Sequence, residues 1–218
     1  MASLLSPLDN WLNMNEGMVE ILLGKDAAKM VGYDQRNPHH CYNLMEHSLR
    51  TVQGININKK SVSTSFEFLQ TAAFYHDIGK PIAAKEKAGR LVFYNHAKKS
   101  AELSRLILSQ QGYDETEINL ITFFIEHHDD FISYVLPYED YDKSNPFLVE
   151  VTEENIIRHI LKYDFIKEKA VWTDLLLLCE SDVNAQSDIV FVNGKVVNTK
   201  EHKLSIYAEI KKILIKYK

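Results

Sequence analysis

The sequence predicts an all-α helical bundle, closed at its C-terminal end by a small β-hairpin and one further helix. Three observations carry this. Apolar residues recur at helical spacing along most of the chain, and the Val/Ile/Thr alternation of strands is rare. Glycine and proline are scarce, 8 and 5 in 218 residues, so few breakers interrupt the periodic segments. One stretch departs clearly: Ile189–Val192 and Val196-Val197 flank Asn193-Gly194, a strong two-residue hairpin signal.

The elements follow in order. Helices are expected over 17–31, 39–54, 65–77, 96–111, 114–128, 153–167 and 169–186. The third stops at Ile78-Gly79-Lys80-Pro81, where glycine and then proline follow an apolar-periodic run. Leu91–Tyr94, between Gly89 and Asn95, reads as a short extended piece inside a loop. Asp114, with Glu117 three residues on, forms the capping box that opens the fifth helix. After the hairpin, Ile206, Ile210, Ile213, Leu214 and Tyr217 keep helical spacing and predict a closing amphipathic helix. No repeat or linker divides the chain, so a single domain is expected over 1–218, with its core at 37–186 and the hairpin and closing helix at 187–218.

Composition excludes several classes of protein. Apolar residues at 45% and charged residues at 25% are ordinary globular values, against disorder or collagen-like repeats. With 25 Lys+Arg against 30 Asp+Glu, the net charge of -5 argues against coating nucleic acid in bulk. Two cysteines, Cys41 and Cys179, make neither a disulfide scaffold nor a cysteine-rich zinc site. The N-terminal residues lack the basic and apolar regions of a signal peptide, and no apolar stretch approaches membrane-spanning length. A cytoplasmic protein with reduced thiols and no membrane partner is expected.

The unusual count is nine histidines. His76 falls on the apolar stripe of Leu69, Ala72 and Ala73, with Asp77 beside it at the helix end. A buried ionised Asp without a partner costs several kcal/mol or shifts its pKa until it neutralises, so this pair calls for a cation or a donor. Asp182 continues the stripe of Leu175, Leu178 and Cys179 and makes the same demand. His127 and His128 end the 114–128 segment on adjacent apolar stripes, and either could point inward. His47 lies inside a helix, and His96 follows Asn95 at a helix start. Each is ordinary alone. Together they are separated segments that each bring a His or Asp to an inward face, the donor set of borderline divalent metals. His39, His40, His159 and His202 fit this pattern less well, with His40 the nearest to an exception.

These motifs resemble a known family. Phe74-Tyr75-His76-Asp77-Ile78-Gly79-Lys80-Pro81 is similar to the His-Asp-Ile-Gly-Lys core of the HD-domain metal-dependent phosphohydrolases. His39–Leu49 resembles the first motif of the HD domains in bacterial tRNA nucleotidyltransferases and protein-PII uridylyltransferases. Asn95-His96-Ala97, His127-His128 and Glu180-Ser181-Asp182 stand, in order, where the later motifs are. The resemblance covers roughly 37–186 and implies an all-α HD-domain bundle, in keeping with the periodicity. It also implies one or two divalent metal ions (Mn, Fe, Ni, Co, Mg or Zn). His47, His76, Asp77 and Asp182 would hold the first, and His96 and His127 the second, with Asp77 bridging. All six positions are filled, so nothing suggests a degenerate enzyme.

The departures separate the chain from the branches it resembles. It holds no glycine-serine loop followed by an Asp-x-Asp pair, so it does not read as a tRNA nucleotidyltransferase itself. Lys80 and Pro81 stand where the 5′-deoxynucleotidase branch carries a Glu. Asp129-Asp130-Phe131 replaces the Gly-Tyr-Pro element of the cyclic di-GMP phosphodiesterases.

Such a site would activate water and polarise a phosphoryl oxygen, and the transition state would then need positive charge nearby. Asp77 and Lys80 are the expected catalytic residues. His128 and three residues of a locally basic 80–99 stretch, Lys80, Arg90 and Lys99, are the expected substrate contacts, with Lys98 and Lys99 opening a helix. Lys85 and Lys87 read as solvated. The acidic 129–154 stretch reads as a solvated face or the rim of the site, and its Phe131, Tyr134, Tyr138 and Tyr141 as packing residues. The expected partner is a small phosphorylated substrate, nucleotide or nucleotide-like. The alternatives are a non-catalytic nucleotide sensor and a di-iron oxygenase of the same fold.

Overall fold

The computed structural model describes residues 13–134, 149–163, 168–192 and 195–217. The Asn193-Gly194 turn, Tyr138, Tyr141 and most of the acidic stretch lie outside the described residues. The structure is mostly helical, and among the described residues no helix is long and apolar enough to cross a membrane.

The chain enters through α1 (Glu16–Leu23), capped by the Asn15 side chain, and α2 (Lys25–Ala28). The single helix expected over 17–31 is split because Gly24 sits at φ 89°, a backbone state open chiefly to glycine. Helix α3 (Leu44–Ile57) starts five residues later than expected, where the Asn43 side chain accepts from Glu46 N. His39 and His40 therefore lie in the preceding loop. Helix α4 (Phe66–Tyr75) is capped by Ser65 and ends just before His76-Asp77. A short α5 (Lys80–Ala83) carries Pro81 within its first turn, where no amide donor is missed.

Between α5 and the next helix lies a feature the sequence reading missed. Strand β1 (Lys85–Lys87) pairs antiparallel with β2 (Arg90–Val92), with Lys87 opposite Arg90. Its two-residue turn is Ala88-Gly89, both at positive φ, as a type I′ turn requires. The signal was weak because Ala replaces the usual Asn or Asp and β1 is polar and fully exposed. Helices α6 (His96–Gln110) and α7 (Glu115–His127) follow, and α7 opens with the complete Asp114/Glu117 capping box. After a 3-10 turn (Asp130–Tyr134), α8 (Glu153–Leu161) and α9 (Lys169–Asn184) lead to β3 (Ile189–Val192) and β4 (Lys195–Asn198), paired as the hairpin the sequence predicts. Helix α10 (Thr199–Lys216) closes the chain.

Helix α9 lies in the middle of the bundle, against α3 and α10. Trp172, Leu175 and Leu178 are fully buried there, each side chain contributing about 1.5–3 kcal/mol of burial. The α3–α9 contact is close because Gly54 faces Ser181, where an added Cβ would sit 2.8 Å from the serine Cβ. The fully buried Asp174 carboxylate is satisfied, accepting from the Ser63 and Thr64 amides and the Thr64 hydroxyl, and so ties α9 to the loop before α4. The cluster of helix ends that this packing brings together contains the candidate site.

Candidate metal centre

Five segments each deliver one or two donors. His47 stands in the first turn of α3, His76 and Asp77 follow α4, His96 opens α6, His128 follows α7, and Asp182 lies in the last turn of α9. A second glycine makes the convergence possible. Gly79 packs so tightly against the start of α6 that an added Cβ would meet Ser100 N at 2.5 Å and the His96 carbonyl at 2.8 Å. Its own amide donates to Ser100 Oγ at 2.9 Å. The His76-Asp77 turn is thereby pressed onto the helix end that carries His96.

Two poles share Asp77. At one, His47 Nε2 lies 2.9 Å from Asp182 Oδ1 and 3.3 Å from Asp77 Oδ2, with His76 Nε2 at 3.2 Å from that same oxygen. At the other, His96 Nε2 lies 3.1 Å from Asp77 Oδ1 and 3.3 Å from Asp129 Oδ2, and His128 Nε2 is 3.7 Å from Asp77 Oδ1. His47, His76, Asp77 and His128 are buried.

The second ring nitrogens decide what this cluster is for. Nδ1 of His47, His76, His96 and His128 faces the carbonyls of Ala185, Ala73, Phe93 and Ile125, at 2.7 to 3.1 Å. A carbonyl only accepts, so each Nδ1 carries a proton and each ring turns Nε2 inward, the atom that can take a second proton or a metal ion. Where these rings are neutral, lone pairs face each other across 3.3 Å, His47 against His76 and His96 against His128. Asp77 Oδ1, buried among them, receives no hydrogen bond. Acceptors crowded together without donors are unfavourable, and a cation between them resolves it. The donor set of imidazoles and carboxylates fits a divalent transition ion.

The electrostatics agree. Burial alone would raise the Asp77 and Asp182 carboxyls, but both are held well below the usual range, Asp77 by the Lys80 and His76 charges and Asp182 by its bonds to His47 and His76. Burial pulls the His76 imidazole down, yet Asp77 and Asp182 outweigh it and raise its pKa to about 10. The carboxylates that would attract a cation also attract protons to Nε2, so proton and metal compete for these atoms. His128 moves the other way, lowered by burial and by His76 and His96 beside it.

Two expectations need correcting. His127 was assigned as a ligand and His128 as a substrate contact, but the structure puts His128 in the cluster. His127 lies on the adjacent stripe of α7 and turns away, its Nδ1 3.1 Å from Asp130 Oδ2, where His159 Nε2 and Tyr163 OH also converge. Of the lysines and arginine of the basic stretch, only Lys80 lines the open pocket of about 420 Å3 beside the cluster. Arg90 is exposed on the hairpin, and Lys99 Nζ donates to the Ile82 carbonyl.

Lys80 is buried, and its Nζ reaches Asp77 Oδ2 at 2.6 Å, Gln35 Oε1 at 2.8 Å and His40 Nε2 at 3.2 Å. Those three acceptors use all three N–H groups of an ammonium. Because Lys80 can only donate, His40 Nε2 accepts, and burial together with the Lys80 charge keeps that ring neutral by lowering its pKa.

The sequence reading missed Asp129, Gln35 and Gln186. Asp129 was legible only as part of an acidic stretch, although it directly follows His128 in the turn that brings both to the site. The glutamines carry no charge or spacing signal.

No curated protein matches the chain. The sequence model of one family, described as HD domain, matches residues 44–164, more than half of the 218 residues. The match spans His47, the His76-Asp77 turn, His96 and His128, and the helical architecture agrees with it. With the paired helix ends, the inward lone pairs and the shared aspartate, this makes the chain a member of the HD-domain family, whose members are generally metal-dependent phosphohydrolases.

Proposed function

We propose that the protein hydrolyses a phosphate ester of a nucleotide or nucleotide-like substrate, using one or two divalent ions held at the Asp77 centre. The observation that carries this reading is the set of four inward Nε2 atoms around Asp77, two facing each carboxylate oxygen, with Oδ1 receiving no hydrogen bond. His47, His76, Asp77 and Asp182 would hold one ion. His96, His128 and Asp129, with the other oxygen of Asp77, would hold a second. When bound, a divalent ion supplies the charge that acidifies water and draws electron density from a phosphoryl oxygen.

The chain's own residues supply the rest. Lys80 pins Asp77 Oδ2 and places a buried positive charge on the pocket wall, where it stabilises developing phosphoryl charge through its field rather than by a hydrogen bond. His40, accepting from Lys80, keeps that ammonium aimed at Asp77. The outer wall favours a nucleoside on the ester. Tyr94 is 59% exposed there, beside Asn37 and an Asn95 whose side chain makes no capping bond. An aromatic face can stack a base, and the amides can bond its edge.

The test is a metal-stripped preparation reloaded with Mn, Co, Ni or Mg and assayed on nucleoside monophosphates, cyclic nucleotides, dinucleotide polyphosphates and ribose 5-phosphate. Turnover restored by metal supports the proposal, and no turnover of any phosphoester in any metal-loaded form ends it. Tyr94→Ala should raise KM for nucleotides roughly five- to tenfold, the loss of one stacking contact, and leave ribose 5-phosphate unchanged.

A further inference from the structure

Helix α10 lies beyond the residues matched by the family, yet one of its side chains connects to the metal centre. Lys203 is 7% exposed and forms no ion pair among the described residues. Its Nζ donates to Gln186 Oε1 at 2.6 Å, and Gln186 Nε2 donates to Asp182 Oδ2 at 3.0 Å. Asp182 Oδ1 is the oxygen that faces His47 and His76.

The direction of these bonds matters. An ammonium can only donate, so Lys203 fixes the Gln186 amide with its oxygen toward the lysine and its NH2 toward Asp182. Asp182 then has Oδ2 occupied and Oδ1 directed at the histidines. Flipped, the amide would set Oε1 against a carboxylate oxygen. A direct ion pair does not account for a lysine here: burial penalises the ammonium, and the carboxylates of Asp182 and Asp129 that favour it act from beyond ion-pair distance. The segment after α9 is held at other points as well: the Ala185 carbonyl accepts from His47, Ser187 N donates to the His39 carbonyl, and Lys200 donates to the Asn184 carbonyl.

We infer that Lys203 is a positioning residue for the metal centre, setting its affinity by orienting Gln186 and, through it, Asp182. The inference rests on the metal reading above. Partners that orient metal ligands in this way are worth roughly 10–100-fold in affinity.

The full chain, stripped by chelator, is titrated with Co or Mn against a competing metallochromic chelator. The Co absorption spectrum and the melting temperature of the metal-free form are recorded alongside. Lys203→Met should bind about tenfold more weakly, with an altered Co spectrum and a metal-free melting temperature no lower than that of the unaltered protein. Lys203→Arg, which also only donates, should keep near-native affinity. Gln186→Met should lose a similar factor, and the double variant no more than either single one, because the two act through one chain. Native affinity in Lys203→Met, or losses that add, would overturn the inference. If Lys203→Met does not fold, native affinity in Gln186→Met overturns it alone. Failure of the unaltered protein to bind either metal would instead sink the metal reading itself.

Discussion

Two histidine–aspartate clusters lie side by side at the end of α7, and they are built in opposite senses. Around Asp130, His127, His159 and Tyr163 aim their donors inward at one carboxylate oxygen, which they hold well below the ordinary carboxylate range against the opposing effect of burial. The aromatic rings of Phe123, Phe131 and Trp172 pack around it. Around Asp77 the histidines send their protons outward to backbone carbonyls and their lone pairs inward. The first cluster is complete as it stands. The second leaves its inward nitrogens and an Asp77 oxygen open to a cation. The same residue types, one position apart in His127 and His128, thus serve structure in one place and chemistry in the other, and the choice is made by what each second nitrogen meets.

The sharpest way to break this contrast is to remove each aspartate. Asp77→Ala should cost roughly a hundredfold or more in phosphoester turnover, while Asp130→Asn should leave turnover near native. A turnover assay of both variants checks this, and equal losses would erase the distinction.

Next in size is the metal response. At a metal concentration about a hundredfold above Kd, binding adds about 2.7 kcal/mol of stability. That gain, read as a thermal shift, should shrink in His128→Ala and persist in full in His127→Ala.

The stability effects are smaller. Asp130→Asn and His127→Ala should each cost about 1–3 kcal/mol in denaturant unfolding, by leaving buried polar groups short of partners. Tyr163→Phe, which removes one donor of the three, should cost about 1 kcal/mol with metal affinity unchanged.

Much of this was legible in the sequence, and for physical reasons. His76, Asp77 and Asp182 each interrupt an apolar stripe, and a charge on a buried face must be answered. The helix start at Asp114 and the stop near Gly79 were written in capping and turn chemistry. The His127/His128 choice was not legible, because both fall on apolar stripes of α7 and only the tertiary position of Asp130 and Tyr163 separates them. Asp129 was hidden among other acids. Lys80 was read as belonging to the site, but two of its three acceptors, Gln35 and His40, come from the loop before α3, 45 and 40 residues away in the chain, so its full engagement could not be foreseen. The β1–β2 hairpin escaped because a polar, exposed strand leaves no alternating pattern.

That hairpin has a consequence for how such a protein could be altered. Its strands carry no metal donor, its tip is solvated, and the segment leading out of it forms the outer wall of the pocket. Residues 84–94 could therefore be exchanged for loops of other lengths and compositions while the donor atoms stay in register, provided Phe93 keeps its carbonyl on His96. The scaffold thus separates the donor-bearing helix ends from an exchangeable outer wall, and that separation makes the hairpin a natural graft point for reshaping what the pocket admits.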